Sequence, residues 1–230
     1  MRRVARIALF LERYGISLLF LYFAWWQIGP VTAAYVQWRG GSDIAFPSLA
    51  NHLLILSLQL AAGTALLFNR APVRPPQHWK ELVVPLAATF YYLVYNFAPA
   101  LPPPFSSSLV GPEWQVPLAG SALLLSSIGY TIAVWGALYL GRSFAVLVAV
   151  RVVVAEGPYR FVRHPIYCGY VLHLVSLVLS RPTFAMAALV AIHLALTVWR
   201  ARLEEASLRE HSAAYRAYAL RTGFLLPGWK

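Results

Sequence analysis

Residues 114–141 have the sequence WQVPLAGSALLLSSIGYTIAVWGALYLG, which contains no charged side chain. The stretch is longer than the roughly 18 apolar residues that indicate a bilayer-spanning helix. Further uncharged runs occur at 14–38, 44–69, 82–112, 164–180 and 182–199. The sequence therefore predicts an all-α, polytopic membrane helix bundle.

We place six spans on these runs, at about 7–27, 49–68, 82–97, 117–140, 166–180 and 182–201. The last two runs are short, because a helix of 17 or 18 residues is roughly 26 Å long and the hydrocarbon core is ~30 Å thick. They predict a tight helical hairpin that turns at Arg181 and Pro182. We divide the chain into an N-terminal four-span bundle over 1–140 and a region over 141–230. That region contains the hairpin and an amphipathic helix over 204–220, which we expect on the cytoplasmic membrane surface in contact with anionic lipids.

The composition excludes two other classes of protein. Hydrophobic residues make up 60% of the chain and charged residues only 12%. This is too apolar for a soluble domain, and disorder requires low hydrophobicity together with high net charge. The formal net charge is nevertheless +11, which by itself fits a nucleic-acid partner or a membrane surface.

The positions of the cations separate these two partners. With six spans, both termini lie on one side of the membrane, and only Arg39 and Arg181 fall on the other side. The cations on the side of the termini are Arg2, Arg3, Arg6, Arg13, Arg70, Arg74, Lys80, Arg142, Arg151, Arg160, Arg163, Arg200, Arg202, Arg209, Arg216, Arg221 and Lys230. The positive-inside rule then predicts that both termini are cytoplasmic. Because these cations flank apolar helices and form no single stripe, we expect no nucleic-acid partner.

A polar segment at 156–169, EGPYRFVRHPIYCG, precedes the predicted hairpin. Pro165 fits the first turn of the following helix, where its missing N–H costs nothing. The free backbone N–H groups of that turn, together with Arg163 and His164, form a natural site for an anion or a carboxylate.

A second polar cluster follows the hairpin. Arg200 and Glu204 are four residues apart and share one helical face, whereas Glu205 points about 100° away. Because a hairpin of two near-equal helices brings its start and its end together, His164 and Glu204 should be neighbours at the cytoplasmic interface. A plain intrahelical ion pair between Arg200 and Glu204 explains the spacing equally well.

These segments also carry a family resemblance. The pattern is Gly-Pro-Tyr-x-x-x-Arg-His-Pro-x-Tyr-x-Gly at 157–169, then two glutamates at 204–205, then Tyr-x-x-Tyr at 215–218 and a proline at 227. It resembles the isoprenylcysteine carboxyl methyltransferase family, and more distantly the phospholipid N-methyltransferases. The resemblance covers roughly 141–227, and the earlier spans match only as hydrophobic helices.

The resemblance implies S-adenosylmethionine as methyl donor, bound in a cytoplasm-facing pocket, and a lipid-like acceptor that enters between helices from the bilayer. Arg200 matches a position that contacts the substrate. The positions that match cofactor contacts of the family are Arg151, Val152, Val153, Val154, Tyr159, His164, Pro165, Ile166, Tyr167 and Glu204. Many relatives carry a polar residue after the position of Phe144, whereas this chain has AVLVAV at 145–150. The C-terminal amphipathic helix is also a candidate to close over the cofactor.

The chemistry of methyl transfer agrees with catalytic roles for Arg200, Glu204 and His164. Because a sulfonium loses its positive charge during in-line displacement, alignment and desolvation supply most of the rate. A carboxylate acceptor is already ionised at pH 7 and needs only a positioning cation such as Arg200. An amine or thiol acceptor needs a base, for which His164 and Glu204 are the candidates. Glu204 is also a candidate to hold the amino acid part of the cofactor or to offset the sulfonium charge, while His164 meets its carboxylate.

Three functions fit these residues. We favour a carboxyl O-methyltransferase that acts on a prenylcysteine-type or other small or lipid-like carboxylate. The alternatives are a phospholipid amine or thiol methyltransferase and a non-catalytic membrane scaffold or transporter. Transporters place their ionisable sites near mid-membrane, whereas here the ionisable residues gather at one interface, which favours an enzyme. No motif indicates the acceptor or the oligomeric state.

Other polar residues within the spans are expected to be structural. The six His residues and one Cys have no spacing typical of a zinc site, so we expect no metal. Cys168 is expected to pack beside Gly169. His52, His173 and His193 are expected to bond to neighbouring helices, with His173 retained as a candidate for function.

Overall fold

The structure is a computed structural model that describes residues 2–42 and 45–228. Its helices are α1 Arg2–Phe10, α2 Ser17–Arg39, α3 Ala45–Leu67, α4 Lys80–Phe90, α5 Pro112–Leu140, α6 Pro165–Ser180, α7 Phe184–His211 and α8 Ala213–Ala219. The predicted all-α membrane bundle is thereby confirmed. Lys230, which we used in the count of cations, lies outside the described residues, as do the side chains of Arg2 and Arg3.

Four stretches of the described chain are long and apolar enough to cross a membrane: Val4–Arg39, Ala45–Leu67, Pro112–Ser143 and Phe184–His211. Large apolar side chains on these helices face outward, and Trp25, Trp26 and Leu124 are exposed, as expected of a surface that meets lipid. The other two predicted spans are not among these four stretches. One is the apolar helix α6, and the other is built from α4 and the segment that follows it.

The first span is longer than the predicted 7–27, because α1 and α2 are joined without a break by a π-helical segment, Leu11–Ile16. Within this segment Glu12 is fully buried. Arg13 donates from Nε to the carbonyl of Leu67 (3.2 Å) and from Nη2 to the carbonyl of Asn69 (2.7 Å). It thereby satisfies carbonyls at the end of α3 that have no partner within that helix.

The predicted span 82–97 changes helix type partway along. Its first part is α4, and its second part is a 3₁₀ helix, Tyr91–Ala100. This change interrupts the i→i+4 hydrogen-bond ladder. His193 of α7 lies against the change of helix type, with Nε2 2.9 Å from the carbonyl oxygen of Ala88 and Nδ1 2.8 Å from the hydroxyl of Tyr95. His193 is therefore bonded to a neighbouring helix, as predicted.

Helices α5 and α6 approach each other closely through small residues. A Cβ atom at Gly129 would lie 2.5 Å from the backbone oxygen of Gly169, and a Cβ at Gly169 would clash with the backbone oxygen of Gly129. Further along α5, a Cβ at Gly136 would lie 2.9 Å from the side chain of Ile166. Small residues permit such close packing of membrane helices. This contact fixes the start of α6, where the polar segment ends.

The predicted helical hairpin is formed by α6 and α7, with its turn at 181–183. The Thr183 side chain caps α7 by accepting from the backbone N–H of Met186 (3.1 Å). The connection before α5 covers this turn, since Leu109 N–H donates to the Pro182 carbonyl (2.7 Å) and Ala185 N–H to the Phe105 carbonyl (3.0 Å). Because α6 and α7 meet here, their other ends lie together at the opposite end of the bundle.

The predicted amphipathic helix at 204–220 is divided between two elements. Helix α7 continues without a break through His211, and Ser212 then starts the short α8 by accepting from the Tyr215 N–H (3.1 Å). Tyr215 and Ala219 are buried against the protein. The apolar face of this segment therefore contacts the rest of the chain.

Candidate functional site

A cavity of about 150 Å³ lies where the N-terminus of α6, the C-terminal half of α7 and α8 meet the loop between α5 and α6. We call this end of the molecule the polar end. The predicted site residues that line the cavity are Arg151, Val152, Val153, Val154, Tyr159, His164, Ile166, Tyr167, Arg200 and Glu204. Pro165 does not line it. Pro165 is buried at the first turn of α6, as predicted, and packs beside Gly136.

The apolar loop 145–150 forms part of the cavity wall and is held by the N-terminal half of the chain. Glu12 Oε1 accepts the backbone N–H groups of Val146 (2.7 Å) and Leu147 (2.8 Å). Val150 exchanges backbone hydrogen bonds with the loop before α4, donating to the Arg74 carbonyl (3.0 Å). Buried backbone groups are thereby satisfied without polar side chains in the loop.

Arg151 closes one side of the cavity with a side chain that is only 4% exposed. Its Nη2 pairs with Glu12 Oε2 at 2.9 Å, and its Nε donates to the Arg70 carbonyl at 3.2 Å. Its Nη1 is buried and has no hydrogen-bond partner in the protein. A buried donor without a partner is uncommon in folded proteins, so the Arg151 guanidinium keeps one hydrogen-bonding group that the protein itself does not satisfy.

His164 and Glu204 are neighbours, as the hairpin argument predicts. His164 Nδ1 lies 4.0 Å from Glu204 Oε2. Its Nε2 lies 3.4 Å from Glu205 Oε1. The imidazole ring stacks on Tyr167, with ring centroids 5.3 Å apart. The ring is therefore held by packing, with a glutamate carboxylate near each of its nitrogens.

Arg200 and Glu204 form the intrahelical ion pair that the spacing allows, with Nε 3.0 Å from Oε1. The same oxygen accepts the hydroxyl of Tyr167 at 2.5 Å. Arg200 also donates to the Thr89 hydroxyl of α4 (2.8 Å) and to the Ala145 carbonyl (3.3 Å). The pair is therefore both an ordinary ion pair and a part of the cavity, and it joins α4, α6 and α7.

Arg163 lines the cavity together with His164, but its guanidinium is bonded to groups of the protein itself. Its Nε pairs with Glu205, and its Nη1 donates to the carbonyls of Ala219 (3.2 Å) and Thr222. The C-terminal carbonyls of α8 attract a cation, and the local spacing around Arg163 does not reveal them. Arg163 therefore anchors the C-terminal segment.

Two tyrosines of the Tyr-x-x-Tyr pattern line the cavity from α8. Tyr215 donates to Glu205 Oε1 (3.1 Å), and Tyr218 donates to the backbone carbonyl of Tyr159 (2.6 Å). Desolvation raises the pKa of Tyr218 to about 12. Desolvation, with a further contribution from Glu204, raises the pKa of Tyr159 well above its ordinary value. These phenols stay protonated near neutral pH and can donate hydrogen bonds.

Some polar residues within the spans, including the candidate His173, have hydrogen-bond partners in the protein. His173 lies between Ser126 (3.2 Å from Nδ1) and Tyr130 (3.1 Å from Nε2). Cys168 donates from Sγ to the Leu225 carbonyl (2.9 Å). Within residues 2–42 and 45–228, no group of three or more His, Cys, Asp or Glu is arranged to hold a metal ion.

Several residues of this site were not predicted from the sequence. Glu12 and Glu205 hold the walls, and Phe20 and Thr89 line the cavity from α2 and α4. For Glu12 there was a signal, namely a carboxylate inside an apolar run. Phe20 and Thr89 are ordinary residues of apolar helices, and only the fold places them at the cavity.

A comparison with protein families gives one match, in which residues 118–214 match the family model described as phospholipid methyltransferase. The matched region runs from α5 into α8 and includes the polar segment and the Arg200–Glu204 pair. No curated protein matches the chain. The match supports the broad class of membrane methyltransferases.

Proposed function

We propose that this protein is an integral membrane methyltransferase that uses S-adenosylmethionine and acts on a lipid-like acceptor. The observation that carries the proposal is the convergence of separate chain segments on one cavity. Arg151, Tyr159 and His164 come from the connection between α5 and α6, Glu204 comes from α7, and all of them line the cavity. The family match over 118–214 supports the same class of reaction.

The residues of the cavity fit such a methyl donor. Arg151 Nη1 is a buried nitrogen without a hydrogen-bond partner in the protein, and a carboxylate or hydroxyl oxygen of S-adenosylmethionine can accept from it. His164 also lines the cavity, with Nε2 3.4 Å from Glu205 Oε1. Glu204 offers a negative charge to the amino group or to the sulfonium, and Val152 and Val153 offer an apolar wall. When bound, the cofactor supplies a methyl group activated on sulfur.

The protein's contribution to the reaction is alignment in a site with little water. Tyr167 and Arg200 both bond to Glu204 Oε1 and thereby fix the direction of its carboxylate. Tyr215 and Tyr218 cover the cavity from α8. Correct orientation and exclusion of water are the largest contributions available to a displacement at a sulfonium.

Two acceptor classes are open for this site. The resemblance at 157–169 supports a carboxylate positioned by Arg200. The family match supports a phospholipid amine, and one observation agrees with it: the charge of Arg200 is already balanced by Glu204 at 3.0 Å. An amine would lose its proton to Glu204 Oε2 or to His164.

The proposal is tested by calorimetric titration of S-adenosylmethionine and S-adenosylhomocysteine into the purified, full-length protein. We expect both to bind, and we expect Glu204→Gln to raise the Kd by about ten-fold or more, because a charged hydrogen-bond partner is lost. Glu210→Gln is the matched control, since this side chain lies on the same helix and is 73% exposed. Failure of the unaltered protein to bind either compound would refute the proposal.

A further inference from the structure

Glu12 is a fully buried carboxylate in the first helix of the chain. It lies in the π-helical segment Leu11–Ile16, and π-helical insertions occur frequently at functional sites. It is outside both the matched region 118–214 and the region 141–227 that carries the resemblance. Neither the match nor the resemblance therefore gives it a role.

The contacts of Glu12 are directed at the cavity wall. Oε1 accepts from the backbone N–H groups of Val146 (2.7 Å) and Leu147 (2.8 Å), and Oε2 pairs with Arg151 Nη2 (2.9 Å). Val146, Leu147 and Arg151 all line the cavity. One carboxylate from the N-terminal helix thus fixes two parts of the wall opposite the hairpin.

Burial of an ion pair needs an explanation, since well-packed apolar residues often replace such a pair without loss of stability. A second buried pair, Arg74–Glu81, provides a comparison, with Nη1 2.8 Å from Oε2. Both Arg74 and Arg151 leave one buried nitrogen without a partner. Of these two arginines only Arg151 lines the cavity, so only the Glu12–Arg151 pair borders directly on the space that a ligand would fill.

We propose that Glu12 is a positioning residue for the methyl donor. It holds the guanidinium of Arg151 so that the free Nη1 donates to a carboxylate or hydroxyl oxygen of S-adenosylmethionine, and it holds the backbone of 146–147 beside it. This inference rests on the proposed function. It extends that function by making the first helix a part of the cofactor site.

The test compares two isosteric substitutions in the full-length protein. Glu12→Gln and Glu81→Gln each neutralise one buried carboxylate that pairs with an arginine. Only the arginine partner of Glu12 lines the cavity, whereas Arg74, the partner of Glu81, reaches it through the hydroxyl of Ser207 (3.2 Å). The measurements are the Kd of S-adenosylhomocysteine by calorimetry and the Tm in the same detergent. We expect Glu12→Gln to raise the Kd about ten-fold or more, and Glu81→Gln to leave it within about two-fold at a similar loss of Tm. An unchanged Kd in Glu12→Gln, or an equal rise in both variants, would overturn the inference.

A second variant separates positioning from general stability. Arg151→Lys keeps the positive charge that Glu12 pairs with but removes the Nη1 donor, and we expect it to raise the Kd about ten-fold with little change in Tm. We then expect the Kd of the double variant, Glu12→Gln with Arg151→Lys, to exceed that of the unaltered protein by less than the product of the two single fold-changes. Fully multiplicative effects would show that Glu12 does not act through Arg151, and the inference would be wrong.

The Arg151→Lys variant also covers the case in which Glu12→Gln does not fold. An unchanged Kd in Arg151→Lys contradicts the inference directly, because the proposed donor is absent. If the proposed function is wrong, the unaltered protein does not bind S-adenosylhomocysteine either, and that result overturns both proposals. Normal binding by the unaltered protein with an unaffected Glu12→Gln variant overturns this inference alone.

Discussion

At the level of single residues, Arg200 is the group that distinguishes the two acceptor classes. Its guanidinium is buried, it bonds to Glu204, Thr89 and Ala145, and it lies against Tyr167 with the guanidinium carbon 5.4 Å from the ring centroid. A carboxylate acceptor would need the remaining donors of this group. A neutral amine would need only the carboxylate of Glu204 and the aromatic ring of Tyr167.

We therefore expect Arg200→Ala to lower kcat/KM by about ten- to a hundred-fold for a carboxylate acceptor, and by clearly less for a phospholipid amine. The measurement is transfer of labelled methyl from S-adenosylmethionine to a panel of prenylated carboxylates and aminophospholipids. Arg202→Ala is the control, because Arg202 is exposed on the same helix. Equal losses for both acceptor classes would mean that Arg200 serves the structure of the site and does not select the acceptor.

The site residues also show what a sequence can and cannot reveal. The proximity of His164 and Glu204 followed from a hairpin of two near-equal helices, and the structure places these side chains 4.0 Å apart. The partners of Arg163 did not follow, because Ala219 and Thr222 reach it through backbone carbonyls, which every residue carries. Side-chain chemistry is visible in a sequence, whereas long-range bonds to the backbone are not.

At the level of helices, the crossing of α5 and α6 is the contact that fixes the start of the hairpin. Hydropathy predicted both helices and the turn at Arg181 and Pro182. It did not predict the change from α4 to a 3₁₀ helix at Tyr91–Ala100, because an apolar run has the same hydropathy in either helix type. The role of the small residues of α5 could not be predicted from the sequence, because it depends on α6 packing against them.

Two alanine substitutions in α5 should have opposite effects. In Gly129→Ala the new Cβ would lie 2.5 Å from the backbone oxygen of Gly169, so α6 must move, and we expect a loss of about 1–3 kcal/mol. In Gly120→Ala the new Cβ meets nothing within 4 Å, so the higher helix propensity of alanine should leave stability equal or slightly raised. Thermal unfolding in detergent measures both. Equal Tm values for the two variants would show that α5 and α6 do not approach this closely.

At the level of the whole molecule, the charges divide between the two ends of the bundle. At the polar end, arginines donate to backbone carbonyls at the end of α3. Arg13 donates to the carbonyls of Leu67 and Asn69, and Arg142 donates to the carbonyl of Phe68. The loop that covers the hairpin turn contains no Lys or Arg from 101 to 111. The positive-inside rule supports our proposal that the termini and the site face the cytoplasm.

This orientation is tested with a membrane-impermeant maleimide on intact bacterial cells. In a Cys168→Ser background, we expect Ser107→Cys to react in intact cells and Arg221→Cys to react only after lysis. Both positions are exposed, and lysed cells provide the control for reactivity. The reverse pattern would place the site on the outer face and contradict the proposed localisation.

The 3₁₀ segment after α4 has a consequence for how the chain passes through the bilayer. A 3₁₀ helix rises about 2.0 Å per residue, so Tyr91–Ala100 extends about 20 Å, whereas an α-helix of the same ten residues would extend about 15 Å. Together with the roughly 16 Å of α4, this element reaches about 36 Å, which exceeds the ~30 Å hydrocarbon core. A short stretch of chain thereby gains the length that a crossing of the bilayer requires, as the sequence-based prediction of a span at 82–97 needs.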